Sequence, residues 1–291
     1  MKKNILSIFT VSYLLSTSVL ANETQKFKGY SYAIIGLERL SYTEKVSILP
    51  LETQVVATSP MSITGGVYRY NDRWDFSLDA MATLLPSASK ETWSINASTA
   101  GDDFKQSNNI GNNTLQQDSF ELANSSLQFL THYKFNEQAR WLTGMKFTRH
   151  NFKRFDFESE HTQIVSLETG VIEEKVGALA LELGVGYESA PVQNTDNRYN
   201  ARLLFGIPVW RSTENTGISG VEFSESSGWG FVVDASYTFQ ILKNIQLGVY
   251  GAYDYILRGG SKITRNNSVF ELPKNIVEFV RIGINFVWKL D

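Results

Sequence analysis

Cysteine is absent from the 291 residues. Disulfides, zinc–thiolate and iron–sulfur sites and thiol nucleophiles are therefore excluded. Histidine amounts to 3 residues, His132, His150 and His161, so imidazole chemistry has few places to reside. Positive charge is not in excess, with 27 Lys and Arg against 30 Asp and Glu. The lack of a basic patch or tail argues against nucleic acid as a partner and against polycationic attachment to anionic surfaces. Beyond residue 21 no run is long, apolar and uncharged, which rules out a helical membrane span.

The opening residues differ from the rest. Lys2 and Lys3 precede an apolar run from Ile5 to Leu20, and Val19 and Ala21 stand where a signal peptidase requires small side chains. The run is too short and wrongly flanked for a membrane anchor. Residues 1–21 are therefore expected to be a cleaved signal peptide, and residues 22–291 a single exported domain. Cleavage removes two lysines and no acid, leaving 25 basic and 30 acidic residues and a formal charge of −5.

Hydrophobic residues make up 42% of the chain, yet they are spread by alternation, the period of a strand. From Arg73, one face reads Trp74, Phe76, Leu78, Ala80, Ala82 and Leu84, and the other Arg73, Asp75, Ser77, Asp79, Met81 and Thr83. A helix would set Asp75 and Asp79 on the stripe of Phe76, so a helix is rejected. The same alternation sets Tyr199, Leu203, Phe205 and Ile207 against Arg198, Asn200 and Arg202. It sets Trp229, Phe231 and Val233 against Asp234 and Ser236, and Leu247, Val249 and Tyr253 against Tyr250 and Asp254. In the last segment Val280, Ile282, Ile284, Phe286 and Trp288 oppose Arg281, Gly283, Asn285 and Lys289.

Eleven such segments can be counted, near 29–42, 61–70, 73–84, 119–135, 140–151, 161–171, 174–188, 198–209, 228–239, 245–255 and 280–289. Many run longer than the five or six residues usual in soluble sheets and suit a tilted bilayer crossing. Connections at 70–73, 135–140 and 241–244 are tight, whereas 85–118, 210–227 and 259–274 are long and polar. Short turns on one side and long loops on the other, with aromatics near the ends of the apolar faces, fit a membrane barrel better than a periplasmic sandwich. The expected fold is all-β: a closed antiparallel transmembrane up-and-down barrel. An odd count does not close such a barrel, so the estimate is about twelve strands, with ten the alternative. Lys90–Ala97 and Gly217–Phe223 are the places where a missed strand would lie.

The final strand carries Arg281, then Gly283, then the alternating aromatics Phe286 and Trp288. This spacing resembles the terminal assembly signal of Gram-negative outer-membrane β-barrel proteins, although the chain continues Lys289-Leu290-Asp291 past the last aromatic. The resemblance covers eight residues and the broad class, with no subfamily. It implies residence in the outer membrane. It further implies contact with outer-membrane lipid and lipopolysaccharide, and engagement of the barrel assembly machinery.

Function is less legible. Arg198, Arg202, Asp234, Asp254 and Arg281 are expected to face the lumen as a charge network, either as internal ion pairs or as the lining of a selective pore. His132, His150 and Ser126 should also face inward. Ser126 lies six residues from His132 on one strand, about 20 Å at strand rise, so direct contact is excluded. Asp102, Asp103 and Asp118 read as solvated acids of the long loop. No catalytic residue, metal ligand or cofactor site emerges. Three readings stand, in this order: a non-enzymatic barrel with surface loops for interaction or a structural role, a narrow channel for small polar solutes, and an outer-membrane hydrolase.

Overall fold

The computed structural model describes residues 29–46, 51–95, 114–159, 170–189, 196–217, 222–224, 226–265 and 268–290. The expected signal peptide and residues 161–169 of the strand candidate at 161–171 lie outside them, and residues 170–171 are not strand. Among the described residues fourteen strands follow one another: β1 (Gly29–Lys45), β2 (Leu51–Arg69), β3 (Trp74–Thr83), β4 (Ser89–Ile95), β5 (Thr114–Lys134), β6 (Ala139–Ser159) and β7 (Ile172–Glu188). The remainder are β8 (Asn197–Asn215), β9 (Glu222–Phe223), β10 (Gly228–Leu242), β11 (Ile245–Arg258), β12 (Ser261–Arg265), β13 (Ser268–Leu272) and β14 (Lys274–Leu290).

Ten of these close a ring in the order β1-β2-β3-β5-β6-β7-β8-β10-β11-β14, every pair antiparallel. β1 pairs with β2 on one side and β14 on the other, so no edge is left open. The count of twelve is thus corrected to ten. Both proposed hiding places do hold strand. However, β4 pairs with β2 and β5 beyond the end of β3, and β9 pairs only with β8, ahead of β10. They prolong existing staves instead of adding new ones. Of the stretch 85–118, residues 89–95 and 114–118 are strand, and 259–274 contains the β12–β13 hairpin.

The tight end is built by asparagine. Asn71 Oδ1 accepts from the amides of Arg73 (2.9 Å) and Trp74 (2.8 Å), and Asn136 Oδ1 from those of Gln138 (2.9 Å) and Ala139 (2.7 Å). Each closes its loop with a local side-chain bond.

The hydrophobic face switches along the strands. Towards the tight end the outward face is apolar and exposed: Ile35 and Leu37 on β1, Leu127 and Phe129 on β5, Met145 and Phe147 on β6, Leu181 to Tyr187 on β7, Val280 to Trp288 on β14. Aromatics border this band. Trp74 packs on Tyr133 at 5.0 Å and Tyr199 on Tyr237 at 4.8 Å at the tight end, with Phe147 on Trp210 at 6.4 Å and Trp229 on Tyr255 at 5.2 Å at the other. Tyr199 and Trp210 stand about 28 Å apart for a strand tilted by ~40°, close to the expected height of a lipid-facing band.

Past the upper border the pattern inverts. Outward positions become Arg39 and Ser41, Ser119 and Glu121, Arg149 and Lys153, and Lys175. The inward ones become apolar: Leu40 and Tyr42, Phe120 and Leu122, Phe152, Val176, Val277 and Phe279. The lower half is a membrane barrel, apolar outside. The upper half stands in water with an ordinary apolar core.

Candidate functional site

The lumen is organised in tiers. At the tight end Asp75 on β3 receives Lys134 at 2.7 Å and Arg140 at 3.3 Å. Arg140 also donates to Glu188, which accepts the Nε of Arg198 at 2.7 Å. Arg198 in turn donates to the Tyr30 hydroxyl and lies 4.3 Å from the centre of that ring.

One tier up, Arg202 Nε lies 3.1 Å from both oxygens of Asp234, and its Nη1 is 3.1 Å from Asp79. The Tyr32 hydroxyl donates to Asp79 as well. Beside this triad Arg281 reaches Glu38 at 3.3 Å and Asp254 at 3.5 Å, while Lys146 holds Asp254 at 3.0 Å. Gln128 donates to Glu182 at 2.7 Å. Eight cations (Arg69, Lys134, Arg140, Lys146, Arg198, Arg202, Arg281 and Lys289, the last donating to Gln240 at 2.8 Å) thus face seven acids (Glu38, Asp75, Asp79, Glu182, Glu188, Asp234, Asp254), so neither sign dominates the membrane half. Unpaired, such groups could not remain ionised in a buried site.

Between the two tiers lies a cavity of about 90 Å³, lined among others by His132, Arg140, Arg202, Asp234 and Tyr250. Its walls mix these polar groups with apolar ones such as Ile63, Met81 and Val232, and its size suits a handful of waters. Above it lies an apolar layer drawn from β1, β2, β5, β6, β7 and β14. Tyr42 stacks on Phe120 at 5.2 Å and meets Phe152 at 5.2 Å, with Val55, Val176 and Phe279 completing the layer.

The layer carries a second ionic cluster on its upper side. Arg154 donates to Glu44 at 2.8 Å and to Glu91 at 2.7 and 3.2 Å, and its guanidinium lies over the rings of Trp93 and Phe120. Asp118 pairs in register with Glu91 and is 3% exposed, which corrects its reading as a solvated loop acid. Burial, and the charge of Glu91 beside it, push its carboxyl up to about 8. Asp102 and Asp103 lie outside the described residues. Leu51, Ile95 and Leu115 form a further apolar cluster where β2, β4 and β5 meet.

The structure brings Arg202 and Asp234 together as direct cross-strand partners, and Arg281 and Asp254 across the last hairpin. Arg198 is engaged by Glu188 instead of by either aspartate. In the final strand Arg281 is buried, whereas Phe286 and Trp288 face lipid. His132 meets Ser77 on β3 at 2.9 Å rather than Ser126, and His150 is bonded by Arg258. His161 lies outside the described residues. Sequence reasoning missed Glu38, Lys146, Arg140, Glu188 and the Arg154 cluster. Strand parity was the signal that could have placed Glu38, Arg140, Lys146 and Glu188 inward, but which of them share a height depends on the stagger between strands.

No family model matches the chain, and no curated protein does. Among solved structures it is similar to the outer membrane protease OmpT from Escherichia coli, at 11% identity and a TM-score of 0.66, covering 93% of this chain and 100% of that one. It also aligns with the translocator domain of autotransporter NalP from Neisseria meningitidis (10% identity, TM-score 0.38, 96% of this chain and 95% of that one) and with Ail of Yersinia pestis (10%, 0.30, 90% and 99%). At such identities the likeness is one of fold. Closed ring, lipid-facing band and aromatic borders together define an outer-membrane β-barrel fold. The outer membrane is its location.

Proposed function

We propose that this barrel is a non-enzymatic outer-membrane protein with a closed lumen, acting through the end that stands above the membrane. One observation carries the reading: the apolar layer of Tyr42, Phe120, Phe152 and Phe279 lies across the lumen above interleaved charges of both signs. A diffusion channel needs a continuous wet path, and a selective one needs a field of one sign; this arrangement favours neither. The protease activity in the printed name of OmpT is not carried over, because the likeness is of fold. The nearest approach to a nucleophile and base, Ser77 and His132, is buried within the membrane half, where a macromolecular substrate has no approach.

The test has two arms. Reconstituted in planar bilayers at high protein load, the protein is expected to give no stepwise conductance; regular steps would overturn the closed-lumen reading. Deleting residues 97–112, which leaves β4 and β5 whole, is expected to preserve heat-modifiable migration while removing a cell-surface phenotype such as adhesion. A deletion strain indistinguishable from wild type in surface binding would sink the interaction role.

A further inference from the structure

Directly above the lipid-facing band, the outer surface of β5, β6 and β7 surrounds one arginine with short side chains. Register sets Ser125, Arg149 and Gly177 on one rung, and Ala123, Asn151 and Lys175 on the next. Four of the six have side chains too small or too short to fill the space beside Arg149. The Trp210 ring lies against Gly177 and stacks on Phe147 at 6.4 Å, forming the edge towards the membrane. Arg149 is exposed, and among the described residues it has neither an ion-pair nor a hydrogen-bond partner. Lys175 stands diagonally from it, with Glu173 at 3.6 Å and Glu214 opposite it on β8. Diagonal neighbours on one sheet face lie about 7 Å apart at Cβ, within reach of one shared ligand for side chains this long.

Inside the membrane half most charges are held in ion pairs. On this outer face an arginine is left over, and its depth identifies what it meets: the aromatic border marks the headgroup level of the bilayer. A planar guanidinium beside an ammonium suits the oxygens of a phosphate. We propose that Arg149 and Lys175 bind a phosphate of an outer-leaflet glycolipid, whose acyl chains lie along Phe147, Leu179 and Trp210. The cluster has no counterpart as a basic run in the sequence, because register alone joins positions 149 and 175. The inference rests on the outer-membrane placement and not on the closed lumen, so either can fail without the other.

The full exported chain, folded in neutral detergent, is titrated with bisphosphorylated lipid A, with the same lipid after dephosphorylation, and with inorganic phosphate, and read by native mass spectrometry. The phosphorylated lipid is expected to bind, and R149A and K175A to weaken it about fivefold each, the weight of one cation near a charged lipid surface. R39A removes an exposed arginine at matching depth on β1 and is expected to leave binding unchanged. Wild-type affinity in both variants, an equal loss in R39A, or equal binding of the dephosphorylated lipid would overturn the site. Displacement of the lipid by inorganic phosphate would assign it to a soluble anion and end the lipid reading. Heat-modifiable migration checks folding; should R149A misfold, Arg149→Gln, which keeps most of the side-chain length, repeats the measurement.

Discussion

Replacing Arg202 with Met removes the guanidinium that lies between Asp79 and Asp234. The arginine makes contacts of 3.1 Å to each carboxylate, and both acids are buried, at 7% and 5% exposure. Breaking a buried ion pair from one side costs about 3–5 kcal/mol, since the orphaned charge has nowhere to go. Two features place the cost at the lower end. The Tyr32 hydroxyl stays on Asp79, and the adjoining cavity of about 90 Å³ gives water room to reach the carboxylates. A loss of about 3 kcal/mol is therefore expected for Arg202→Met. The triple variant Arg202→Met, Asp79→Asn, Asp234→Asn retains no charge in the triad and is expected within about 1 kcal/mol of wild type, or above it. Equilibrium unfolding by urea in lipid vesicles, followed by tryptophan fluorescence and gel migration, supplies both numbers. If the single variant loses under about 1 kcal/mol, or the triple variant is no more stable than the single, the view of Arg202 as the compensator of two buried acids is refuted.

Phe152→Ala is expected to cost about 3–5 kcal/mol by opening a cavity in the apolar layer, yet to leave planar bilayers silent because the ion pairs beneath remain; a persistent conductance in this variant would show that the layer alone seals the barrel. Asp118 holds its proton more tightly when folded than unfolded. Its contribution to stability is therefore complete below about pH 4 and is lost as pH rises towards about 8. Urea midpoints should fall across that window and Asp118→Asn should flatten the fall; an unchanged slope in Asp118→Asn would count against the buried Glu91–Asp118 contact. Gly248→Ala would drive a methyl into the Tyr237 carbonyl oxygen across the β10–β11 hairpin. A cost of about 1–3 kcal/mol or a failure to assemble is expected, read by heat-modifiable migration; normal folding would mean the hairpin has slack there.

The lower half of the barrel was largely legible. Along β3, β8, β10, β11 and β14 a single parity separates lipid-facing Phe76, Leu203, Val233, Val249 and Ile282 from inward Asp75, Arg202, Asp234, Asp254 and Arg281, and the structure keeps that parity. What escaped has physical causes. Alternation has the same period whichever face is apolar, so the inversion at Arg39 and Arg149 left no mark in the pattern. The irregularity between Pro208 and Trp210 shifts register against β7 and sends Arg211 inward, where it is 2% exposed; proline at a bulge was the available signal. The break between β3 and β4 made one stave look like a strand and a loop. Cross-lumen partners such as Arg154 and Glu44, separated by 110 positions, are chosen by strand stagger, which no local pattern encodes.

The tall strands also set a distance. β6 continues twelve residues past Phe147 to Ser159, and at strand rise with a tilt of ~40° that lifts its end about 30 Å above the membrane border. The rim therefore stands as a rigid turret, clear of the innermost sugars that crowd the cell surface. A large partner approaching from outside meets hydrogen-bonded sheet before it meets lipid, so contact need not wait on the reach of flexible connections.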